Sequence, residues 1–294
     1  MVARLKDLYE ELGTDSRWQR SLALRIAVAG CFIGHGILAW KASANFGSEW
    51  SAWVRMLFPA SLEYRGSEIF LKTVAIIDIV DGLLLLLPRI PKSALLWVLF
   101  WGAMTAVSRL FFLGVYIAPY EINSMNALAE FLKRAPNWIM PLFLVAVTSP
   151  KLNERFKILA NKHHWLNFAV GSQMLAILLH QIYEWNGPYF DFELLKVGMP
   201  PWFFGAVTAG AIMGLFLLIL NYQSKLANKS FNFLLYIVPL TYVCAEGFVV
   251  FARNLPAGGL FAFVKFVSHF AMYFCMVLWV KNYLWQAQDK IGQS

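Results

Sequence analysis

Charge is the scarcest ingredient of this 294-residue chain: Asp, Glu, Lys and Arg make up 14% of it, where soluble domains carry roughly 25%. With 59% apolar residues and a mean hydropathy of +0.57, a disordered or collagen-like chain is excluded and an integral membrane protein is implied. Cysteine is nearly missing as well. Cys31, Cys244 and Cys275 are odd in number and each sits inside an apolar run, which excludes a secreted disulfide scaffold. The chain also lacks CxxC, CxxCH and HExxH motifs, a His pair four residues apart, a Gly-rich phosphate loop and a nucleophile elbow. These absences argue against dithiol chemistry, disfavour haem and leave no expected metal site. No basic, aromatic-interleaved soluble module is present either, so nucleic acid is not an expected partner.

What is abundant is long apolar sequence. A helix needs about 20 mostly apolar residues to cross the hydrocarbon core, and runs of that kind bounded by charge, proline or aromatic clusters cover 22–40, 70–87, 94–118, 126–148, 165–185, 202–221, 231–252 and 258–283. The fold class read from them is all-α, a polytopic transmembrane bundle of about eight spans. Glu130, Lys133, Arg134, Pro136 and Pro141 interrupt the fourth run, so that segment must face protein or water. Arg4, Lys6, Arg17, Arg20, Arg89, Lys92, Lys151, Arg155, Lys157, Lys162, Lys225, Lys229, Lys281 and Lys290 fall on one side of this topology. Only Lys41, Arg55, Arg65, Lys196 and Arg253 fall on the other. The bias places both termini in the cytoplasm by the positive-inside rule, and the net charge of +8 reads mainly as a topology signal beside anionic headgroups.

Residues 1–20 are too charged for a cleavable signal peptide. Leu5, Leu8, Tyr9 and Leu12 recur there at helical spacing, which suits either a helix lying in the membrane interface or a solvated one packed on loops. Trp40, Trp97, Trp165, Trp185, Trp202 and Trp279 stand at span ends and match an interfacial belt better than a ligand cage.

The two halves of the chain resemble each other. Gly82, Leu83, Leu85 and Leu86 match Gly214, Leu215, Leu217 and Leu218 at an offset of 132, and Phe131, Lys133, Met140 and Val145 match Phe263, Lys265, Met272 and Val277 at the same offset. Duplication of an even number of spans keeps both halves in one orientation, giving parallel repeats. The expected organisation is a cytoplasmic amphipathic segment over 1–20, a four-helix unit over 21–150, a basic cytoplasmic linker over 151–164, a second four-helix unit over 165–284 and a cytoplasmic tail over 285–294. Gly30 with Gly34, and Gly210 with Gly214, form small-residue pairs that let helices approach closely.

Ionisable groups within spans are costly and face the bundle interior, so each is a candidate for function. His35, Arg109, Lys133, Arg134, His180, Glu184, Glu246, Lys265 and His269 fall in the outer half or near the middle of their spans, with Asn137 beside them. Asp78 and Asp81, three residues apart on the second span, share one face. Together they suggest a substrate-binding polar pocket open to the outside, with no catalytic residue assigned. An alternative for Asp78 or Asp81 is a buried ion pair with Arg109 or Lys133 that only fixes helix register.

The run from Arg25 to Lys41 with its Gly34-His35-Gly36, followed by Asp78 and Asp81, Trp101-Gly102 with Arg109, and Arg134 with Asn137-Trp138, resembles the DoxX-like family of bacterial membrane proteins. The resemblance covers about residues 20–148. It implies a four-helix unit in the bacterial inner membrane and association with redox-complex partner proteins that exchange electrons with quinone. Carried over by position, Arg25, His35, Asp78, Arg109 and Asn137 are the family-like polar positions. Three readings stay open: a subunit of a quinone-associated redox complex, a permease for a small anionic solute, and a non-catalytic structural or assembly subunit.

Overall fold

A computed structural model of the chain describes residues 16–44, 54, 57–116 and 124–158, with isolated residues between 164 and 264. Six helices run in order: α1 (Ser16–Ser43), α2 (Glu63–Leu85), α3 (Lys92–Tyr116), α4 (Ser124–Lys133), α5 (Ala135–Thr148) and α6 (Pro150–Phe156), and no strand occurs among the described residues. Two of these helices are long and apolar enough to cross a membrane, through Leu24–Ser43 of α1 and Lys92–Leu110 of α3. The runs expected at 165–185, 202–221, 231–252 and 258–283, and with them the second repeat, lie largely outside the described residues, as do positions 1–15.

α1 and α2 form a close antiparallel pair whose register can be read from four places. A Cβ placed on Gly36 would come within 2.7 Å of the Ala75 carbonyl oxygen and of Ile79 Cγ1; one on Gly82 would come within 2.7 Å of Ile33 Cγ1 and 3.1 Å of the Ala29 oxygen. At the ends of the pair, Lys72 Nζ stands 5.8 Å from the centroid of the Trp40 ring and Arg25 Nη1 donates to the Leu87 carbonyl at 2.7 Å. One number rises as the other falls, so His35 on α1 stands level with Asp78 on α2. The glycines matter because only a missing side chain allows the backbones so near.

α2 stops before Pro88, whose ring disfavours helix at the preceding residue. The last turn tightens, with Leu86 N–H donating to Leu83 and Leu87 N–H to Leu84. The carbonyls left over at a helix end need donors. The guanidinium of Arg25, buried on α1, supplies them to Leu87 and, at 3.4 Å, to Pro88. The turn returns the chain antiparallel as α3, with the Phe70 and Trp101 rings 6.2 Å apart.

The interrupted fourth run is two helices. Pro136 has no N–H to offer, so the backbone turns at Arg134 (φ −91°, ψ 5°) and is held by shorter bonds, Arg134 N–H to Phe131 and Asn137 N–H to Arg134. At 14 residues α5 is about 21 Å long, short of a roughly 30 Å core, whereas α4 and α5 together have the length. α5 nevertheless forms the centre of the packing. Its Ile139, Met140, Phe143 and Leu144 are fully buried against Leu24, Val28 and Phe32 of α1, Leu85 of α2 and Val98 of α3. On the outside, Ile69, Ile76, Val80 and Leu83 of α2, and Leu96, Phe100, Met104 and Val107 of α3, are exposed along one stripe each.

Candidate functional site

Asp78 is the centre of the polar interior. It is 1% exposed, and its Oδ1 accepts a hydrogen bond from the Trp97 indole N–H on α3 at 2.7 Å. Its Oδ2 is fully buried and has no hydrogen-bond partner. Trp101, one turn further along α3, stacks on Trp97 with ring centroids 5.5 Å apart and planes 15° from parallel, and lies beside the same carboxyl. Phe70 and then Phe58 continue the aromatic row toward the start of α2.

Around this centre α1 contributes His35, at Asp78's level, and Cys31, both buried. Cys31 lies close enough to Asp78 and to Arg134 to be influenced by the charge of each. Arg134 is committed within its own helix turn: it pairs with the Glu130 carboxylate and donates to the Glu130 carbonyl oxygen at 3.0 Å. Asn137 is buried with its backbone against Gly102, where a Cβ would collide with the Asn137 carbonyl. Two prolines and a glycine explain that contact. Pro141 lacks the N–H that would normally bond to the Asn137 oxygen four residues earlier, Pro136 starts the helix, and Gly102 leaves the space into which the carbonyl projects.

The residues singled out from the sequence do not all meet here. His35, Asp78, Asp81, Arg134 and Asn137 belong to one region of the bundle. Arg109, although buried, does not: it lies 12 residues beyond Trp97 on the same continuous helix, about 18 Å along the axis, at the end of the apolar stretch of α3. An ion pair between Asp78 and Arg109 is therefore excluded by helix rise, and the carboxyl is held by an indole instead. Lys133 is the last residue of α4 and is partly buried. His180, Glu184, Glu246, Lys265 and His269 lie outside the described residues.

Sequence reading missed Trp97, which it placed in the interfacial belt. A signal for it does exist, because folding an antiparallel hairpin back at Leu87 and Pro88 brings Asp78 opposite the first turns of α3. Arg25 is likewise explained by the structure as the cap of α2, a role that its family-like position does not suggest. Among the described residues no group of three or more His, Cys, Asp and Glu is placed to hold a metal ion. The chain matches no protein-family model, no curated protein and no solved structure.

Proposed function

We propose that the chain is a DoxX-like integral protein of the bacterial inner membrane, with about eight spans in two parallel four-helix units and both termini cytoplasmic, and that it acts as a subunit of a quinone-associated redox complex. The observation that carries the ligand reading is the Trp97–Trp101 stack beside a buried carboxyl with an unused oxygen. A quinone headgroup is a flat ring with polar groups at its edge, and stacked indoles next to one polar anchor match both features. The exposed apolar stripes of α2 and α3 suit contact with lipid tails. An anion permease draws support from the proline-broken α4–α5 segment. Against it, Arg134 is already neutralised by Glu130.

The test uses the full chain purified in detergent. A water-soluble short-chain benzoquinone should quench tryptophan emission saturably, Trp101→Leu should abolish the saturable part, and the organic extract of the untreated protein should contain stoichiometric quinone. Non-saturable quenching together with an extract holding only phospholipid would refute the reading. Topology is tested by thiol labelling in intact cells and inverted vesicles: a cysteine replacing Arg109 should react with an impermeant reagent from the periplasm, and one replacing Arg89 only from the cytoplasm.

A further inference from the structure

α2 carries two buried acids, Asp78, which borders the aromatic stack, and Asp81, which the stack does not use. Asp78 and Asp81, three residues apart on one face, are 1% and 9% exposed, and the Asp81 carboxyl is close enough to act on that of Asp78. Asp78 Oδ2 is the single fully buried side-chain nitrogen or oxygen without a hydrogen-bond partner among the described residues. Asp81 has neither a hydrogen bond nor an ion pair among them.

Among the described residues, the charged and titratable groups facing the pair come from three helices and a junction. α1 presents Cys31, His35 and Arg25, the last with its guanidinium on the Leu87 and Pro88 carbonyls. α3 presents the indoles of Trp97 and Trp101, while its Arg109 is about 18 Å away along the axis. The α4–α5 junction presents Arg134, already paired with Glu130. Two carboxyls therefore share the interior of the bundle, and among the described residues Arg25 bonds to the Leu87 and Pro88 carbonyls and Arg134 pairs with Glu130. Uncompensated carboxylates are costly there, and each raises the cost of the other in a low dielectric.

We propose that Asp78 and Asp81 bind one monovalent cation, a proton or Na⁺, taken up at Asp78 Oδ2 with Asp81 as the second carboxyl that holds the charge. Trp97 is the positioning residue: by donating to Oδ1 it leaves Oδ2 to face the ion. The proposal does not depend on quinone.

Infrared difference spectra of the full chain in nanodiscs, recorded without quinone while Na⁺ or pH is stepped, read carboxyl chemistry directly. The expected result is a saturable carboxyl band change that is lost in Asp78→Asn. Its midpoint should weaken about tenfold or more in Asp81→Asn. It should shift but survive in Trp97→Phe. A change driven by Na⁺ at fixed pH identifies Na⁺; a change driven by pH alone identifies the proton. Silence toward both Na⁺ and pH between about 5 and 9, or an unaltered response in Asp78→Asn, overturns the proposal. Should Asp78→Asn fail to fold, an unmoved midpoint in Asp81→Asn overturns it equally.

Discussion

Gly102→Ala tests the α3–α5 contact with a single methyl group. The added Cβ would collide with the Asn137 carbonyl oxygen and come within 3.0 Å of its carbonyl carbon and 3.6 Å of Trp138 Cα. All three are backbone atoms, so no rotamer change relieves the clash and the helices must part by something near an ångström. At Gly82, by contrast, the nearest atom is a side-chain carbon, Ile33 Cγ1 at 2.7 Å, with the nearest backbone atom, the Ala29 oxygen, at 3.1 Å. Overpacking of this kind costs about 1–3 kcal/mol, against which alanine recovers about 1 kcal/mol of helix propensity. Because only backbone can yield here, the cost falls in the upper part of that range, about 2–3 kcal/mol, and the net loss is about 1–2 kcal/mol, or roughly 2–8 °C in melting midpoint for a chain of this size. The assay is thermal unfolding of the detergent-purified protein followed by fluorescence-detected gel filtration. Gly259→Ala, where nothing lies within 4 Å of the new Cβ, is the control and should be neutral to slightly stabilising. If Gly102→Ala melts with the wild type, the close approach of Asn137 to α3 is wrong and the account of the Pro141 gap fails with it.

Arg25→Met removes the donor that caps α2 and should cost about 1–3 kcal/mol in a denaturant titration, with Arg25→Lys recovering only part because an ammonium lacks the guanidinium fork. Trp97→Phe removes the indole hydrogen bond to Asp78 Oδ1 and should destabilise by about 1–3 kcal/mol in the same titration. Phe143→Ala empties a fully buried position at the centre of α5 and should cost about 3–5 kcal/mol; a loss under 1 kcal/mol would show that α5 does not organise the core. Pro136→Ala restores an N–H at the α4–α5 junction, so spin labels at positions 128 and 142 should move apart as the two helices merge, and an unchanged distance would place the cause of the break elsewhere.

The outline of the first half is legible in the residue order because its determinants are local. Run length, the helix stops at Pro88 and the Pro136 break each depend on a few consecutive residues. The polar centre was legible only in part. Asp78, Asp81, His35 and Asn137 announce themselves as polar groups in apolar runs, but nothing in that signal distinguishes an ion pair from an indole as Asp78's partner. Arg109 announced itself equally well, yet one continuous helix carries it away from the acids.

Composition and periodicity alone thus make the described part of the chain helical, apolar enough for a membrane and broken near Pro136, since those properties follow from backbone chemistry and from the transfer of side chains out of water. Partner choice came from packing. Which face of α1 meets α2, that Arg25 reaches the carbonyls after α2, that Trp97 meets Asp78 and that Gly102 receives the Asn137 carbonyl all depend on register and on approach distances between helices. A slide of one turn, about 5 Å, would replace every one of these contacts while leaving the hydrophobic pattern unchanged, so no pattern along the chain could have specified them.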